Sequence, residues 1–383
     1  MAFLSLPSDV VEEFLFKTPI ESLVLCKPTC KQLYALCNDK RFIYNHLDLS
    51  EERLMRIYLD KIKIINPVTL DILCLPVPAE FDSVTFNVIH CDGLLLCRWT
   101  TRGLDRYNKL AVWNPISGQL KFVESFFHGV TDLYGFGYAN NGPRDSYKIL
   151  RVSYWRKECE IYDLKSKLWR AFSATLDWVV NTPQQNVFMN GNMYWIADTL
   201  GDNIRETFIQ SFDFSKETFK PICSFPYENK IIDTLIMNGI HRIADSVILS
   251  SFRVDRLSLF RQQRLEDKKY EMEVWVTNKV TDEVVSWTKY FNVTHHPDLP
   301  ILNPYLFTYM RVPTFFIHET NSIMLWCDKA AGKGFACTSF YEIGDQGEVK
   351  HQLETRKRFR ANGERNSCVS SCVYVPSLVP IPE

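Results

Sequence analysis

The sequence contains no long hydrophobic run, no excess of charge and no leader of the secretory kind. The longest apolar stretch, residues 62–79, is interrupted by Lys63, Asn66, Asp71 and three prolines, so a membrane-spanning segment is not expected. Lys and Arg number 44 against 45 Asp and Glu, and this net charge of −1 excludes the basic footprint of a nucleic-acid-binding protein. The first six residues carry no basic group, which argues against a signal peptide. We therefore expect neither a nucleic-acid nor a membrane partner.

The sequence also lacks the spacing of a metal site or of a catalytic thiol. Cysteines recur four residues apart at 26–30 and 368–372, but neither pair has a second pair of ligands nearby. His90 and Cys91 are adjacent in a strand-like run, where neighbouring side chains point to opposite faces and do not meet. The twelve cysteines follow no disulfide framework, which is typical of reduced thiols in a cytoplasmic or nuclear protein. We expect no metal, no cofactor and no catalytic residue.

The first 47 residues have the pattern of short amphipathic helices. Pro7 suits the first position of a helix, and Asp9 lies in the first turn, where the helix dipole favours a negative charge. Thr18 and Glu21 have the spacing of a capping box that starts a second helix. Apolar residues recur at helical intervals in three segments: Val10, Val11, Phe14 and Leu15; Ile20, Leu23 and Val24; and Cys30, Leu33, Tyr34 and Cys37. Three short helices bury too little of their own apolar surface, which predicts a partner.

These helices carry a motif made of Leu6, Pro7, Val10, Val11, Leu15, Pro19, Ser22, Leu23, Thr29, Cys30, Lys31, Phe42 and His46. The motif resembles an F-box, although Leu33 stands where that family usually has a tryptophan. The resemblance implies that the apolar face of the helices binds a Skp-type adaptor protein, which joins it to a cullin ubiquitin ligase. The adaptor-binding residues expected on this basis are Leu6, Pro7, Val10, Val11, Leu15, Ile20, Leu23, Cys30 and Leu33.

The pattern of the sequence changes after the helices. Residues 48–60 are charged and carry an apolar stripe at Leu54 and Ile57, which predicts a helical connector. From residue 61 the apolar runs are short and separated by turn residues, and the chain is rich in aromatics, at 14%, which is typical of strands. The predicted division is a small all-α unit of three helices at 1–47, the connector at 48–60 and a large all-β domain at 61–383.

Four Asn or Asp residues recur in the all-β region at nearly constant spacing. Asn66, Asn114, Asp163 and Asp213 each precede a short polar turn, and they are separated by 48, 49 and 50 residues. We predict that each starts a hairpin turn and binds the turn backbone with its side chain. A repeat of about fifty residues with several strands is typical of a β-propeller, and six blades fit the length. A β-sandwich with incidental spacing is the alternative fold.

A propeller is a ring, and an open ring would expose unpaired strand edges. Residues 371–375 are rich in β-formers and precede Pro376, so they can supply the closing strand. We predict that they pair in the same blade as the hairpin at 61–75, with Val373 and Val375 buried.

The all-β region carries a second set of motifs, among them Gly93-Leu94-Leu95-Leu96, Trp113-Asn114-Pro115, Gly191-Asn192-Met193-Tyr194-Trp195 and Tyr374-Val375-Pro376-Ser377. They resemble the F-box-associated domain, which is known mainly from plants. The resemblance implies a non-catalytic substrate-recognition subunit of a Skp–cullin–F-box ubiquitin ligase that recruits an unidentified target protein. The alternative is a propeller enzyme or small-ligand-binding protein with a helical cap, which requires convergent titratable or ligand-binding residues in the central channel.

Overall fold

The computed structural model contains four α-helices at the N-terminal end, followed by a six-bladed β-propeller. The helices are α1(Ser8–Phe16), α2(Ile20–Cys26), α3(Lys31–Leu36) and α4(Lys40–Leu49), with a 3-10 turn at Lys27–Thr29. None of these helices is long and apolar enough to cross a membrane. The structure describes residues 8–58, 60–81, 86–100, 108–124, 129, 131–142, 144–180, 185–200, 206–227, 246–265, 270–294, 302, 313–318, 322–330, 335–358 and 368–383.

The fourth helix corrects the prediction of three. The Asp39 side chain accepts a hydrogen bond of 2.9 Å from the Phe42 N–H and so caps the start of α4. Phe42, Ile43, His46 and Leu47 then fall at i, i+1, i+4 and i+5 and form one buried face. The predicted capping box of the second helix is wrong, because the Thr18 hydroxyl donates instead to the Phe14 carbonyl of α1.

The strands are β1(Arg53–Tyr58), β2(Lys61–Ile65), β3(Ile72–Pro76), β4(Phe86–Cys91), β5(Leu94–Thr100), β6(Asn108–Trp113), β7(Leu120–Val123), β8(Leu133–Tyr138), β9(Tyr147–Ser153), β10(Glu158–Asp163), β11(Leu168–Phe172), β12(Trp178–Val180), β13(Asn186–Met189), β14(Asn192–Thr199), β15(Thr207–Asp213), β16(Thr218–Ser224), β17(Ser246–Phe252), β18(Arg256–Arg264), β19(Tyr270–Thr277), β20(Trp287–Thr294), β21(Thr314–Ile317), β22(Ile323–Ala330), β23(Phe335–Ile343), β24(Val349–Arg358) and β25(Cys368–Tyr374). They form six antiparallel sheets, one per blade.

Blade 1 has the order β25-β1-β2-β3, blades 2 and 3 take β4–β7 and β8–β11, blade 4 takes β12–β16, and blades 5 and 6 take β17–β20 and β21–β24. The blades contact one another mainly through their inner strands: β25 contacts β4 and β21, β17 contacts β21 and β13, β4 contacts β8 and β13, and β8 contacts blade 4 through β14. In blade 4 both β12 and β13 pair with β14, so the inner position is shared by two short strands. Apolar side chains packed between neighbouring blades form most of the core.

The predicted helical connector is wrong, because residues 53–58 form strand β1. Leu54, Met55 and Ile57 are all fully buried, and they contribute to apolar clusters on both faces of blade 1. A strand buried on both faces has apolar residues in a nearly continuous run, which imitates a helical stripe over so short a segment. The all-β region therefore begins at residue 53 rather than 61.

The prediction that residues 371–375 close the ring in the blade of the 61–75 hairpin is confirmed, but the predicted burial of Val373 and Val375 is wrong. Strand β25 pairs antiparallel with β1, with Tyr374 opposite Arg53 and Cys372 opposite Met55, and so shares a sheet with the 61–75 hairpin. Val373 and Val375 are only half-buried, whereas Tyr374 is completely buried. Since side chains alternate along a strand, the closing strand directs Tyr374, not the valines, into the deepest packing.

The four repeated Asx residues confirm the predicted turn chemistry. Each lies between the third and fourth strand of its blade, and its side-chain oxygen accepts from the N–H groups two and three residues on: Asn66 at 2.8 and 3.1 Å, Asn114 at 2.9 and 3.1 Å, Asp163 at 2.9 and 2.8 Å, and Asp213 at 2.8 and 3.0 Å. In blade 5 the corresponding turn is longer, and Asn278 accepts from Ser286 instead. This longer turn interrupts the regular spacing of the Asx residues after Asp213.

Candidate functional site: the helices and their junction with the propeller

Four of the predicted adaptor-binding residues lie inside the protein. Val11 and Leu15 of α1 and Ile20 and Leu23 of α2 are each less than 5% exposed and belong to the core cluster that the helices share with the propeller. They hold the helices together and are covered by this chain itself, so they do not form an accessible surface. Leu6 and Pro7 lie outside the described residues.

The remaining predicted residues are more accessible, and the helices expose further apolar side chains. Val10 and Cys30 are exposed, while Leu33 is half-buried against the core. The exposed large apolar residues of helices α1–α3 are Val10 at 46%, Phe14 at 60%, Leu25 at 75% and Tyr34 at 58%. We call these four side chains the helical apolar patch.

Three residues of the patch, Phe14, Leu25 and Tyr34, are not among the predicted adaptor-binding residues. In α1 the apolar stripe of four residues is divided, because Val11 and Leu15 turn inward while Val10 and Phe14, also four residues apart, turn outward. A helix with apolar residues at i, i+1, i+4 and i+5 presents two adjacent rows, and periodicity alone does not say which row meets the core. The second apolar row, Val10 and Phe14, was the sequence feature that could have indicated an exposed apolar surface.

Local hydrogen bonds and ring contacts fix the helices relative to one another. The Cys30 sulfur accepts from the Leu33 N–H at 3.4 Å and so caps α3. Phe16 of α1 stacks on Phe42 of α4 with ring centroids 5.0 Å apart. The buried His46 ring donates from Nε2 to the Thr18 carbonyl at 3.0 Å. These contacts set the position from which the patch is displayed.

Arg144 joins the helices to the propeller. It lies in the turn between β8 and β9, and its Nε and Nη2 donate to the Asp92 carboxylate at 3.0 and 3.2 Å. Its Nη1 donates to Asp48 of α4 at 2.6 Å. The same guanidinium lies over the rings of Tyr44 and Tyr138, 5.1 and 5.7 Å from their centroids. We call these five residues the junction.

Burial shapes the electrostatics of the junction. It raises the pKa of the Asp92 carboxyl, and the charge of Arg144 together with the Tyr147 hydroxyl, which donates to Asp92 at 2.9 Å, opposes that rise. Burial also raises the pKa of Tyr44 to about 12. Ion pairs at the periphery, Lys40 with Asp145 and Arg53 with Glu21, add further links between helices and propeller. Directional contacts therefore couple α4 to blades 2 and 3, and α2 to blade 1.

The C-terminal tail also packs between the helices and the propeller. Leu378 and Val379 are buried in the cluster that includes Phe42 and Leu47 of α4. The Asn114 amide donates to the carbonyls of Ser377 and Val379 at 3.1 and 2.9 Å, so one repeated Asx residue also holds the tail. Gly93, at φ +80°, leaves space for the Ser377 hydroxyl, which a Cβ would approach to 2.1 Å.

The adjacent His90 and Cys91 do not form a thiol–base pair, because burial and hydrogen bonding give them separate structural roles. His90 Nε2 accepts hydrogen bonds from the backbone N–H groups of Gly93, at 2.9 Å, and Val375, at 3.4 Å. Burial lowers the pKa of His90 to about 4 and raises that of Cys91. His90 thus connects β4 to the end of the closing strand as a neutral acceptor. The described residues contain no group of three or more His, Cys, Asp or Glu side chains that could hold a metal ion.

Comparison with known proteins agrees with the architecture. Residues 48–381 match the family model for the F-box associated beta propeller domain, so the domain begins before the predicted boundary of 61 and occupies most of the chain. The chain is 42% identical to "Putative F-box protein At3g22650" and to "Putative F-box only protein 15", both of Arabidopsis thaliana, over 99% of this chain and 98% of each relative. It is 38% identical to "F-box/WD-40 repeat-containing protein 1" of the same plant, over 98% of this chain and 89% of the relative. The chain therefore belongs to the family of F-box proteins with an F-box associated beta propeller domain.

Proposed function

We propose that this protein is the substrate-recognition subunit of a Skp–cullin–F-box ubiquitin ligase. The observation that carries the proposal is the helical apolar patch: four large apolar side chains stay exposed on helices α1–α3, although α1 and α2 bury their other apolar row in the core. Exposed aromatic and aliphatic side chains of this kind supply the buried centre of a protein interface. The partner is a Skp-type adaptor and, through it, a cullin.

The junction supports a mechanism based on proximity. A receptor without an active site accelerates ubiquitination by holding its target near the charged enzyme, which raises the effective concentration of the reacting groups. That gain depends on a defined geometry between the adaptor-binding helices and the target-binding surface. Arg144, Asp48 and Asp92 supply a directional link between these two parts.

We place the target on the propeller face opposite the helices. The β8–β9 turn, with Arg144, lies on the helix side, and successive hairpin turns of a blade alternate between its two ends. The β9–β10 turn therefore lies on the other side, where Trp155 is 86% exposed. An exposed tryptophan is a favourable anchor for a protein partner. We expect this receptor to act in the cytoplasm or the nucleus.

A pull-down with a purified Skp-type adaptor tests the proposal. Phe14→Asp combined with Leu25→Asp places two charges in the patch, and we expect at least a tenfold loss of adaptor, about 1.4 kcal/mol or more. The matched control is Leu168→Asp with Val284→Asp, which changes two exposed apolar residues of the propeller. The proposal fails if the patch variant retains the adaptor as well as the control does. Leu23 is not a suitable position, because its burial would make Leu23→Asp a folding mutation.

A further inference from the structure

The inner strands of the propeller, together with the end of α4 and the segment that follows it, line an open cavity. Its volume is about 910 Å³, and its walls come from the inner strands β4, β13, β17, β21 and β25. The segment between α4 and β1, residues 49–52, lies at the end of the cavity nearest the helices. Asp92 and Arg144 of the junction also line the cavity, where they pair with each other.

The first selective group is the carboxyl of Glu52. It lines the cavity, and its described contacts comprise one hydrogen bond, which the Ser251 hydroxyl donates at 3.2 Å, and no ion pair. Burial raises the pKa of Glu52 to about 7, since the charged form lacks a cation that would compensate for lost hydration. A ligand ammonium group would supply that charge.

The second group lies deeper along the channel. Gln185 is 6% exposed and donates from Nε2 to the Val247 carbonyl at 2.7 Å. Its Oε1 is buried and accepts no hydrogen bond from the described residues, and the same holds for the hydroxyl of Ser250, which is 3% exposed. Buried polar atoms in this condition favour a ligand that donates hydrogen bonds.

The spacing between these groups sets the length of the ligand. Ser251 contacts Glu52 and Val247 contacts Gln185, and both belong to strand β17, four residues apart. At about 3.3 Å per residue the two contacts are separated by roughly 13 Å. The strands between these contacts line the cavity mainly with backbone, because side chains such as Ile248, Leu249 and Phe315 are almost fully buried between the blades. This separation suits an extended, flexible ligand with an N–H donor at each end.

We propose that the channel binds an unbranched alkyl-ammonium group, with its cationic end on Glu52 and a second N–H donor at Gln185. Aliphatic diamines and polyamines have this chemistry, and so does an extended peptide in which a lysine supplies the ammonium group and the backbone supplies the second N–H. The inference does not depend on adaptor binding.

Titration calorimetry of the full chain with spermidine, at about 0.15 M salt to screen exposed charges, tests the proposal. We expect one binding site. Glu52→Gln should weaken binding at least tenfold, the usual cost of one charge-assisted hydrogen bond, and Gln185→Leu should weaken it less. Glu283→Gln, the same change at an exposed glutamate of the β19–β20 turn, should leave the affinity unchanged. A neutral alkanediol of matched length should not bind.

A short lysine peptide distinguishes the two sources of the ammonium group. Glu52-dependent binding of this peptide tighter than that of spermidine assigns the channel to a lysine side chain, and the reverse order assigns it to a free amine. The melting temperature of unliganded Glu52→Gln checks that the variant is folded. The proposal is overturned if spermidine and the peptide both fail to bind, or if folded Glu52→Gln binds as tightly as the parent. Equal losses in Glu52→Gln and Glu283→Gln would also overturn it, because they indicate attraction to surface charge alone.

Discussion

The helical unit, residues 8–49, and the propeller bury their apolar residues by different means. The propeller packs blade against blade around a closed ring and returns its last strand, β25, to its first, β1. The helical unit has no such closure, so it buries one face against the propeller and the C-terminal tail and leaves the helical apolar patch exposed. We therefore expect the closed ring to supply most of the stability, and the helical unit, which cannot bury all of its own apolar surface, to bind a partner.

Removing the closing strand should have the largest effect on this comparison. Deletion of residues 371–383 takes away the β25–β1 pairing beyond Ser370 and the buried Tyr374, and we expect it to destabilise the propeller by more than about 4 kcal/mol, the cost of losing one large buried aromatic. All nine tryptophans lie in the propeller, so denaturant unfolding followed by tryptophan fluorescence reports that domain alone. Deleting only residues 382–383 is the control. A fluorescence midpoint equal to that of the control would contradict ring closure.

The second prediction separates the two regions at the junction. Arg144→Met leaves the buried Asp92 carboxylate without its cation and should lower the free energy of unfolding by about 3 kcal/mol. Arg170→Met removes a half-exposed arginine from its pair with Glu217 and should cost less than about 1 kcal/mol. When denaturant unfolding is followed by far-UV circular dichroism, which detects the helices, the midpoint should fall further in Arg144→Met than in Arg170→Met. Equal shifts in the two variants would mean that the junction does not hold the helices.

The third prediction compares two equivalent turns. Asn114→Ala removes both the turn bonds and the bonds to the tail, and we expect a loss of about 2–3 kcal/mol. Asp163→Ala removes turn bonds alone at a more exposed position, and we expect about 1 kcal/mol. Chemical denaturation of both variants measures the difference. If the two costs are the same, the tail contributes nothing through Asn114.

These turns also show how far the sequence predicted the fold. The Asx spacing identified the propeller because each turn is local: a side chain meets the backbone two and three residues on, and nothing distant is required. Strand β1 was missed because its burial depends on β25, which is more than three hundred residues away in sequence. The candidate site was predicted only as a set of helices. The direction of each apolar row, and the role of Arg144, depend on how those helices pack against blades 2 and 3.

The fourth prediction is that His90 makes the stability of the propeller depend on pH. His90 has a pKa of about 4 in the folded protein against an ordinary 6.5, so the unfolded chain binds the proton more readily. Stability from this group is therefore complete above about pH 6.5 and falls as pH decreases toward 4, by about 2 kcal/mol between pH 7 and pH 5. His90→Gln should reduce the measured loss over this range by that amount. An identical pH dependence in His90→Gln would show that His90 is not buried as a neutral acceptor.

Amide hydrogen exchange of the full chain, with and without a Skp-type adaptor, shows whether the helical apolar patch is the adaptor-binding surface. We predict that the adaptor slows exchange in helices α1–α3, which carry Val10, Phe14, Leu25 and Tyr34, and leaves the β9–β10 turn with Trp155 unchanged. Slower exchange at the β9–β10 turn, with none in the helices, would contradict it.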